Sequence, residues 1–357
     1  MSRPRFLVVV HALFAVLMWS ESPSLTRAMA AAQAGTSSQP GALPSQPAAV
    51  LSNPIVANAD PFITREGGHY LLLATTGANI TLWAAPRMND LRHGAHVLWT
   101  PDATDPLERT LTQIWSPTLW QFGDRWIVYF TATTDGGNPG HAIFALRSEG
   151  SDPLGPYRFA GRVETGMASI DPSVLRVGHE SYLMFVSVTG QNRIWMAPLA
   201  DGLRLAAPAK LLVSPDQPWE KHGGAIVEGP TALYHDGRIW IVYSASHTAS
   251  PAYCLGLLGY SGRGEVTDAA NWTKSGPVFE QSPARRVYGP GRGTFTTSPD
   301  GRENWLLYAA KTSPEFTGRG RTTRAQRFQY DATGRPVFGS PVALDSPVAA
   351  PSGEPRP

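Results

Sequence analysis

A five-fold internal repeat runs through the sequence and leaves few folds open to it. Five strand-like runs, each preceded by a turn, contain the aligned aromatic residues Tyr70, Trp126, Tyr182, Trp240 and Trp305. Successive members of this set are 56, 56, 58 and 65 positions apart. Such a period accommodates four short strands with their turns, and radial repetition of four-stranded units builds a β-propeller. The sequence therefore predicts an all-β, single-domain, five-bladed β-propeller. A β-sandwich is the competing architecture, but it does not require this period.

The composition agrees with a turn-rich β fold. The chain of 357 residues contains 35 Gly and 32 Pro, and only 16% of its residues are charged, against roughly 25% in ordinary domains. The run from Trp126 to Phe130 is apolar on both alternating faces, which suits a strand packed between two neighbouring sheets. The single cysteine, Cys254, excludes an intramolecular disulfide and a cysteine-ligated zinc site, and we interpret it as a core residue.

The first 30 residues have the pattern of a secretory signal peptide. Two arginines precede an apolar stretch from Phe6 to Trp19, and Ala28-Met29-Ala30 supplies the small residues of a cleavage site. Retention of this segment as an anchor is the alternative. Without residues 1–30 the chain has 27 basic and 27 acidic residues, so no basic surface for nucleic acid is expected. We predict a secreted or periplasmic monomer with no membrane association after signal cleavage.

Segments of low complexity flank the repeats. Residues 31–52 lack charged and aromatic side chains, which predicts a flexible linker, and residues 346–357 are predicted to form a disordered tail. The propeller is therefore expected to span residues 53–345. The segment from Asn53 to Asp60, which precedes the first predicted blade strand, is short, so no additional N-terminal strand is expected. Closure of the ring is therefore predicted to rest on side-chain packing.

A second recurring strand precedes each aromatic run by about ten to thirteen residues. Four copies carry a proline at the equivalent place, and the fifth has Pro290 close to it; the four are Pro61, Pro117, Pro172 and Pro230. If this is the first strand of each blade, it lies nearest the propeller axis, and equivalent positions converge at one mouth of the channel. We therefore expect any chemistry to be concentrated at this position.

Three of the five copies carry a carboxylate there. These are Asp60, Asp171 and Glu228, whereas the other two copies have Ser116 and the pair Gly291-Arg292. Converging carboxylates repel one another, so their pKa values should separate. Glycoside hydrolysis needs one acid that stays protonated and one that is ionised, which such a cluster provides. The three acids are accordingly the catalytic candidates. A lone Asp-Pro is more often a strand-start cap, and only the joint occurrence favours catalysis.

The ordered set of motifs resembles family 43 glycoside hydrolases. The resemblance extends from about Asn53 to Leu344 and rests on these segments: Ala59-Asp60-Pro61, Ile114-Trp115-Ser116-Pro117, Ser169-Ile170-Asp171, Val227-Glu228-Gly229-Pro230 and Tyr288-Gly289-Pro290-Gly291. It implies a five-bladed propeller that inverts anomeric configuration and acts on arabinose- and xylose-containing polysaccharides. Residues 243–258 and 322–341 look most like members that release arabinofuranose from chain ends.

Carried over residue by residue, the resemblance implies Asp60 as general base and Glu228 as general acid. Asp171 would orient the acid and raise its pKa, and Arg324 would match the arginine that the family places beside the sugar. Many members have a histidine after Gly-Pro-Gly that holds an axial metal ion, often calcium. This chain has Arg292 there, and a guanidinium cannot ligate a cation. We therefore expect no required cofactor and no metal ligand, with Arg292 at the substrate-binding site balancing the carboxylates. An axial calcium ion and a solvated loop arginine are the alternatives.

Three further side chains are weaker candidates for contacts with the substrate. Trp115 directly precedes the axial position of the second blade and would form a stacking wall, although buried propeller tryptophans are common. His247 follows the run Tyr243-Ser244-Ala245-Ser246 and is either a pocket residue or an ordinary loop histidine. His222, six residues before Glu228, is a candidate for a subsite beyond the scissile bond.

The predicted function is therefore an inverting glycoside hydrolase that releases terminal α-L-arabinofuranosyl residues. The expected substrates are plant cell-wall arabinan or arabinoxylan oligosaccharides. A β-xylosidase or an endo-arabinanase of the same family is the first alternative. A carbohydrate-binding propeller without catalysis is the second, and a scaffold or adhesion propeller is the third.

Overall fold

The computed structural model describes residues 49–356, and these residues form the predicted five-bladed propeller. Each blade is a four-stranded antiparallel sheet whose strands follow one another in chain order. The first three blades consist of β2 (Phe62–Glu66), β3 (His69–Leu73), β4 (Ile80–Ala85) and β5 (Ala95–Trp99); β6 (Thr112–Phe122), β7 (Arg125–Thr133), β8 (His141–Ser148) and β9 (Tyr157–Val163); and β10 (Ser169–Val177), β11 (Glu180–Ser187), β12 (Arg193–Pro198) and β13 (Lys210–Val213).

The last two blades repeat the same meander. They consist of β14 (Val227–His235), β15 (Arg238–Ala245), β16 (Cys254–Tyr260) and β17 (Trp272–Phe279), and of β18 (Tyr288–Thr297), β19 (Asn304–Lys311), β20 (Thr322–Tyr330) and β21 (Pro336–Val337). The helical content of the described residues is limited to short 3₁₀ turns at Met88–His93, Glu108–Thr110, Asn138–Gly140, Pro218–Glu220, Ala269–Asn271 and Pro283–Arg285. No helix within residues 49–356 has the length and apolar character that crossing a membrane requires.

The core is divided among the five interfaces between neighbouring blades. In β7, Trp126, Val128 and Phe130 pack against the first blade. The alternating residues Ile127 and Tyr129 pack against the third blade. Because strand side chains alternate between the two faces of a sheet, one strand serves two interfaces. The prediction of strands that are apolar on both faces is confirmed. Similar clusters join the third blade to the fourth, the fourth to the fifth, and the fifth to the first.

Backbone pairing, besides side-chain packing, closes the ring. A short strand β1 (Val50–Leu51) pairs with β22 (Val348–Ala349) in antiparallel register. The segment after β1 also bonds to β20, where the Asn53 side chain exchanges two hydrogen bonds with the Ala325 backbone at 2.8 and 3.1 Å. Leu51 is fully buried in the cluster between the fifth and first blades. The expected absence of an N-terminal strand is therefore wrong.

The predicted boundaries 53–345 also change at both ends. Residues 346–357 were predicted to be a disordered tail, but β22 lies within them and the Glu354 carboxylate accepts a hydrogen bond from the Met88 backbone at 2.8 Å. Residues 50 and 51 belong to β1 rather than to a flexible linker. A two-residue strand has almost no sequence signal of its own, which explains both errors. The predicted signal peptide and residues 31–48 of the predicted linker lie outside the described residues.

The innermost strands β2, β6, β10, β14 and β18 run side by side along the axis, and a cavity lies at each end. The active-site cavity, at the starts of these strands, has a volume of about 280 Å³. The distal cavity, at their hairpin ends, has a volume of about 500 Å³ and is lined by aromatic residues that include Phe62, Trp120, Tyr234 and Phe295. The two ends therefore differ in lining, although the same five strands form both.

Candidate active site

The active-site cavity brings together five of the seven predicted site residues. Asp60, Trp115, Asp171, Glu228 and Arg292 all line it. They come from five different blades and are separated by up to 232 positions in the chain. Their convergence is the result expected from equivalent positions on innermost strands that meet at one mouth of the axis.

The backbone turns sharply where each innermost strand meets the cavity. One residue per blade has a positive φ at this point, namely Asp60 (58°), Ser116 (50°), Asp171 (58°), Gly229 (57°) and Arg292 (55°). In four of the five blades this residue is not glycine, and a left-handed conformation costs an L-residue roughly 1–2 kcal/mol. Such strain persists only where the surrounding structure enforces it, and it is concentrated at functional sites.

Hydroxyl groups of the preceding blade hold these turns. The backbone nitrogen of Asp171 donates to Thr131 Oγ1 at 3.0 Å. The backbone nitrogen of Arg292 donates to Ser244 Oγ at 2.8 Å. The backbone nitrogen of Ser116 likewise donates to Oγ1 of Thr75, in the first blade, at 2.9 Å. The first, second and fourth blades thus each position the cavity residue of the next blade.

The backbone corrects the predicted equivalence of the three acids. Asp60 and Asp171 occupy the positive-φ position, but in the fourth blade Gly229 occupies it and Glu228 lies one residue earlier. Glu228 still lines the cavity because its longer side chain reaches the same space. The proline positions contain this information, since Pro230 directly follows Gly229 as Pro61 follows Asp60.

Asp60 is held as a carboxylate by two hydrogen bonds and two arginines. Its Oδ1 accepts from Arg321 at 2.7 Å, and its Oδ2 accepts from the Thr75 hydroxyl at 2.8 Å. Arg292 Nε lies 4.0 Å from Oδ1. Burial alone would raise the pKa of Asp60, but the charges of Arg321 and Arg292 outweigh it and hold the pKa below its ordinary value. Asp60 is therefore ionised at neutral pH.

The pKa of Glu228 is shifted in the opposite direction. Burial and, next, the negative charge of Asp171 raise the pKa of Glu228 to about 7. Its Oε1 accepts a hydrogen bond from the Tyr253 hydroxyl at 2.8 Å, and its Oε2 accepts a long one from Asn192 at 3.4 Å. Two carboxyl groups of one cavity are thus driven apart in pKa by their surroundings, as a proton donor and an ionised base of one reaction would be.

Asp171 and Arg292 link the backbone beside Glu228 to the other charged side chains of the cavity. Asp171 Oδ2 accepts a hydrogen bond from the backbone of Gly229 at 3.0 Å, directly after Glu228. Arg292 Nη1 lies 3.2 Å from the same oxygen. Only 8% of Arg292 is exposed, so its charge acts at short range within the carboxylates. Neighbouring acids raise the pKa of Arg292 further, although burial opposes this.

Trp115 contributes an aromatic surface to the wall of the active-site cavity. Trp115 lines the cavity and stacks on His141, with ring centroids 4.6 Å apart and an interplanar angle of 29°. His141 is buried, and burial lowers its pKa, so the ring behind Trp115 is neutral. His247 does not line the cavity itself. Its neighbour Thr248 does, and the His247 ring lies 5.2 Å from the ring of Phe316.

Arg321, rather than the predicted Arg324, is the arginine of this segment that lines the cavity beside Arg292. Arg324 is fully buried in β20 and makes one long hydrogen bond to the carbonyl oxygen of Ala310 at 3.5 Å. Arg321 lies just before β20, lines the cavity and bonds Asp60. The two residues are three positions apart, so the error follows from an unknown strand start. The TRAQRF motif identified the correct strand but not the residue.

Comparisons with known proteins agree with this geometry. The family model described as glycosyl hydrolases family 43 matches residues 51–336. The extracellular exo-α-(1→5)-L-arabinofuranosidase of Streptomyces avermitilis is 30% identical over 302 residues, which cover 80% of this chain and 62% of the relative. An enzyme of the same name from Streptomyces chartreusis is 31% identical over 272 residues, or 73% of this chain and 82% of the relative.

A solved structure gives the same picture. The crystal structure of an α-L-arabinofuranosidase from Lactobacillus brevis superimposes with a TM-score of 0.77 at 25% identity, and the alignment covers 83% of this chain and 98% of that one. The chain spans about 62% of the length of the first curated relatives that it matches. The similarity therefore applies to the propeller, and the relatives contain additional residues that this chain does not match.

Proposed function

This chain belongs to glycosyl hydrolase family 43, and from that premise we propose that it releases terminal α-L-arabinofuranosyl residues from arabinan or other arabinose-containing saccharides with inversion. The observation that carries the proposal is the pair formed by Glu228 and Asp60. Both line one cavity, and their pKa values are shifted in opposite directions. Inverting hydrolysis requires this combination of one proton donor and one ionised base.

In the proposed reaction, Glu228 donates its proton to the glycosidic oxygen as the bond to the anomeric carbon breaks. Asp60 accepts a proton from a water molecule that attacks the same carbon from the opposite face. Arg321 and Thr75 hold the Asp60 carboxylate in one orientation through their hydrogen bonds. Asp171 keeps Glu228 protonated through its charge and fixes the adjacent backbone.

The size of the cavity supports action on a terminal sugar. Its volume of about 280 Å³ lies just below the range of roughly 300–1,000 Å³ that is usual for sites holding drug-sized ligands. One pentofuranosyl ring fits such a space, whereas a polysaccharide segment needs an open groove. Trp115 supplies an aromatic wall for that ring.

The residues at the axis do not fit a calcium ion. The Arg292 guanidinium lies 3.2 Å from Asp171 and 4.0 Å from Asp60, and it offers only donors, which repel a cation. Among residues 49–356, no cluster of three acidic, histidine or cysteine side chains is arranged to hold a metal. We propose that Arg292 carries the central positive charge. Activity should therefore survive dialysis against EDTA, and a loss that calcium restores would contradict this proposal.

The relatives from both Streptomyces species are named extracellular. Together with the N-terminal sequence pattern, this supports a secreted or periplasmic protein. Plant cell-wall arabinan or arabinoxylan oligosaccharides would then be its substrates. We propose that it acts as a monomer, because each catalytic group comes from one chain.

The deciding experiment follows the products by NMR on aryl arabinofuranoside, aryl xyloside, arabino-oligosaccharides and linear arabinan. Release of arabinose from the chain ends, first as the β-anomer, is the expected result. Internal cleavage of arabinan alone would contradict exo action, and release of xylose alone would favour the β-xylosidase alternative. Binding of oligosaccharides without any product would identify a non-catalytic carbohydrate-binding propeller.

A further inference from the structure

We propose that Phe316 is an aromatic platform for the sugar that follows the scissile bond, and that Lys311 holds this platform in place. The inference rests on the proposed function and extends it, because it assigns a leaving-group subsite. Phe316 belongs to the loop formed by residues 312–321, which joins β19 to β20 and is called the Phe316 loop below.

The Phe316 loop is part of the wall of the active site. Its last residue, Arg321, lines the cavity and donates to Asp60 at 2.7 Å. The Phe316 ring is 60% exposed and lies 5.2 Å from the ring of His247. His247 in turn precedes Thr248, which lines the cavity. An exposed aromatic face therefore lies beside the cavity entrance.

Phe316 lies on the side of the cavity that carries the acid. A Cβ atom built on Gly223 would lie 2.6 Å from Phe316 Cε2 and 3.1 Å from the Cβ of His247. Gly223 is five residues before Glu228 in the segment that leads into β14. The sugar that leaves carries the oxygen that Glu228 protonates, so its ring must lie on this side. The apolar C–H face of a sugar ring stacks on such an aromatic surface.

A single exposed aromatic residue needs no explanation by itself, but a buried lysine holds this one. Only 1% of Lys311 is exposed, and its ammonium group donates to three carbonyl oxygens. These belong to Glu315 at 2.8 Å, Thr317 at 3.0 Å and Ala249 at 2.6 Å. The first two carbonyls flank Phe316 directly.

Burying an ammonium group is costly unless all its donors are used, and Lys311 directs two of its three to one exposed turn. The third bond, together with one from the Thr317 backbone to Ala249 at 3.0 Å, ties the loop to the segment that carries His247. A ring fixed in this way loses little conformational freedom when a sugar binds, which favours binding. We therefore assign Lys311 as a positioning residue that acts through Phe316.

The first test measures binding separately from turnover. Calorimetry of arabinotriose and of L-arabinose is performed in a Glu228→Gln background, with Phe316→Ala, Phe316→Tyr and, as an exposed aromatic control at the distal cavity, Tyr234→Ala. Phe316→Ala should weaken arabinotriose binding roughly 3- to 10-fold, while the dissociation constant of arabinose stays the same. Phe316→Tyr should bind as before, and so should the control. Unchanged arabinotriose binding in Phe316→Ala would overturn the inference.

The two proposals can fail separately in this design. If the otherwise unmodified chain releases no arabinose while arabinotriose binding still depends on Phe316, the proposed function fails and the subsite remains. If the chain releases arabinose and Phe316→Ala has the original KM for arabinotriose, the subsite fails alone. A higher KM with a nearly unchanged kcat is the expected result.

The second test concerns Lys311. Lys311→Met and the double variant with Phe316→Ala are compared with the single variants for KM on arabinotriose. If Lys311 acts through Phe316, the double variant should be no worse than the more affected single variant. Independent, multiplying effects would overturn the positioning role. Lys311→Arg, which keeps the charge, serves as a second variant if Lys311→Met does not fold, and it should retain at least part of the binding.

Discussion

The two ends of the propeller axis are built from the same five strands and differ in almost every physical respect. The active-site cavity has about 280 Å³ and contains buried acids and arginines on backbone turns with positive φ. The distal cavity is larger, at about 500 Å³. It is lined by aromatic residues and by the charged residues Arg65, Glu66 and Arg176. Within the described chain, none of these three charged residues forms a salt bridge.

The difference shows that cavity size does not identify the functional end of a propeller. Charges at the distal end lie partly in water, where they interact weakly. At the active-site end, burial forces each charge to be paired or to change its pKa. Strained turns and shifted pKa values therefore mark the catalytic end, whereas the larger volume does not. The following experiments test this contrast.

Removing either member of the acid–base pair should give the largest effect. We expect Glu228→Gln and Asp60→Asn each to lower kcat/KM roughly 10²- to 10⁴-fold, measured by arabinose release from arabinotriose. Glu66→Gln in the distal cavity is the matched control and should retain full activity. Turnover that survives in either active-site variant would refute the roles given to these acids.

Arginine residues at the two ends should differ in their contribution to stability. Arg292→Met leaves the buried Asp171 carboxylate without its counter-charge and Asp60 with Arg321 alone, so the free energy of unfolding should fall by about 3–5 kcal/mol. Arg176 stacks on Trp120 and Phe122 and donates a hydrogen bond to the Gln121 carbonyl oxygen at the surface, and Arg176→Met should cost less than about 1 kcal/mol. Urea unfolding measures both values. Equal losses would mean that burial does not strengthen the charge interactions as described.

The charge of Asp171 should control the pH range of activity. Because the proposed reaction uses Glu228 as the proton donor, activity is expected to fall as pH rises through its pKa of about 7. Asp171→Asn removes a neighbouring negative charge and lowers the pKa of Glu228, which should move the alkaline limb of kcat/KM down by roughly one pH unit. The pH profile of Glu66→Gln should keep its limb near pH 7. An alkaline limb at the same pH in Asp171→Asn would exclude the coupling between Asp171 and Glu228.

The smallest expected effect is a gain in thermal stability when Glu228 is replaced by glutamine. The folded chain keeps the Glu228 proton up to about pH 7, whereas the unfolded chain releases it near pH 4.5. Stability from this group therefore falls as pH rises through that interval. At pH 8, Glu228→Gln should melt roughly 2–4 °C higher than the original chain, and at pH 4 the difference should vanish. Thermal scans at both pH values provide the comparison.

Much of the fold was predictable because repetition amplifies weak signals. Each apolar run alone is ambiguous, but five runs at one period indicate five blades, and their alternating faces explain why every strand packs on two neighbours. The same repetition identified Asp60 and Asp171, because each occupies the repeat position that Ser116 occupies in the second blade. Aligning the prolines, rather than the acids, also identifies Gly229 as the fourth member.

The remaining parts of the site depend on geometry that no local pattern contains. Whether Arg321 or Arg324 faces the cavity depends on where β20 begins, and strand ends are uncertain by a few residues from sequence. Lys311 looks like any lysine at the end of a strand, because its partners are backbone carbonyls, which every residue carries. Phe316 lies in a loop whose position is set by that buried contact.

The clasp between β1 and β22 also has a mechanical consequence. Val50 pairs with Ala349 at the outer end of this two-residue ladder, and Leu51 pairs with Val348 at the inner end. Tension applied from residues before 50 and after 349 would therefore act on the outer pair first. The hydrogen bonds of the ladder would break one after another instead of being loaded together in shear. A pulling experiment should show the ring opening at low force between the fifth and first blades, while the four-stranded sheets stay intact.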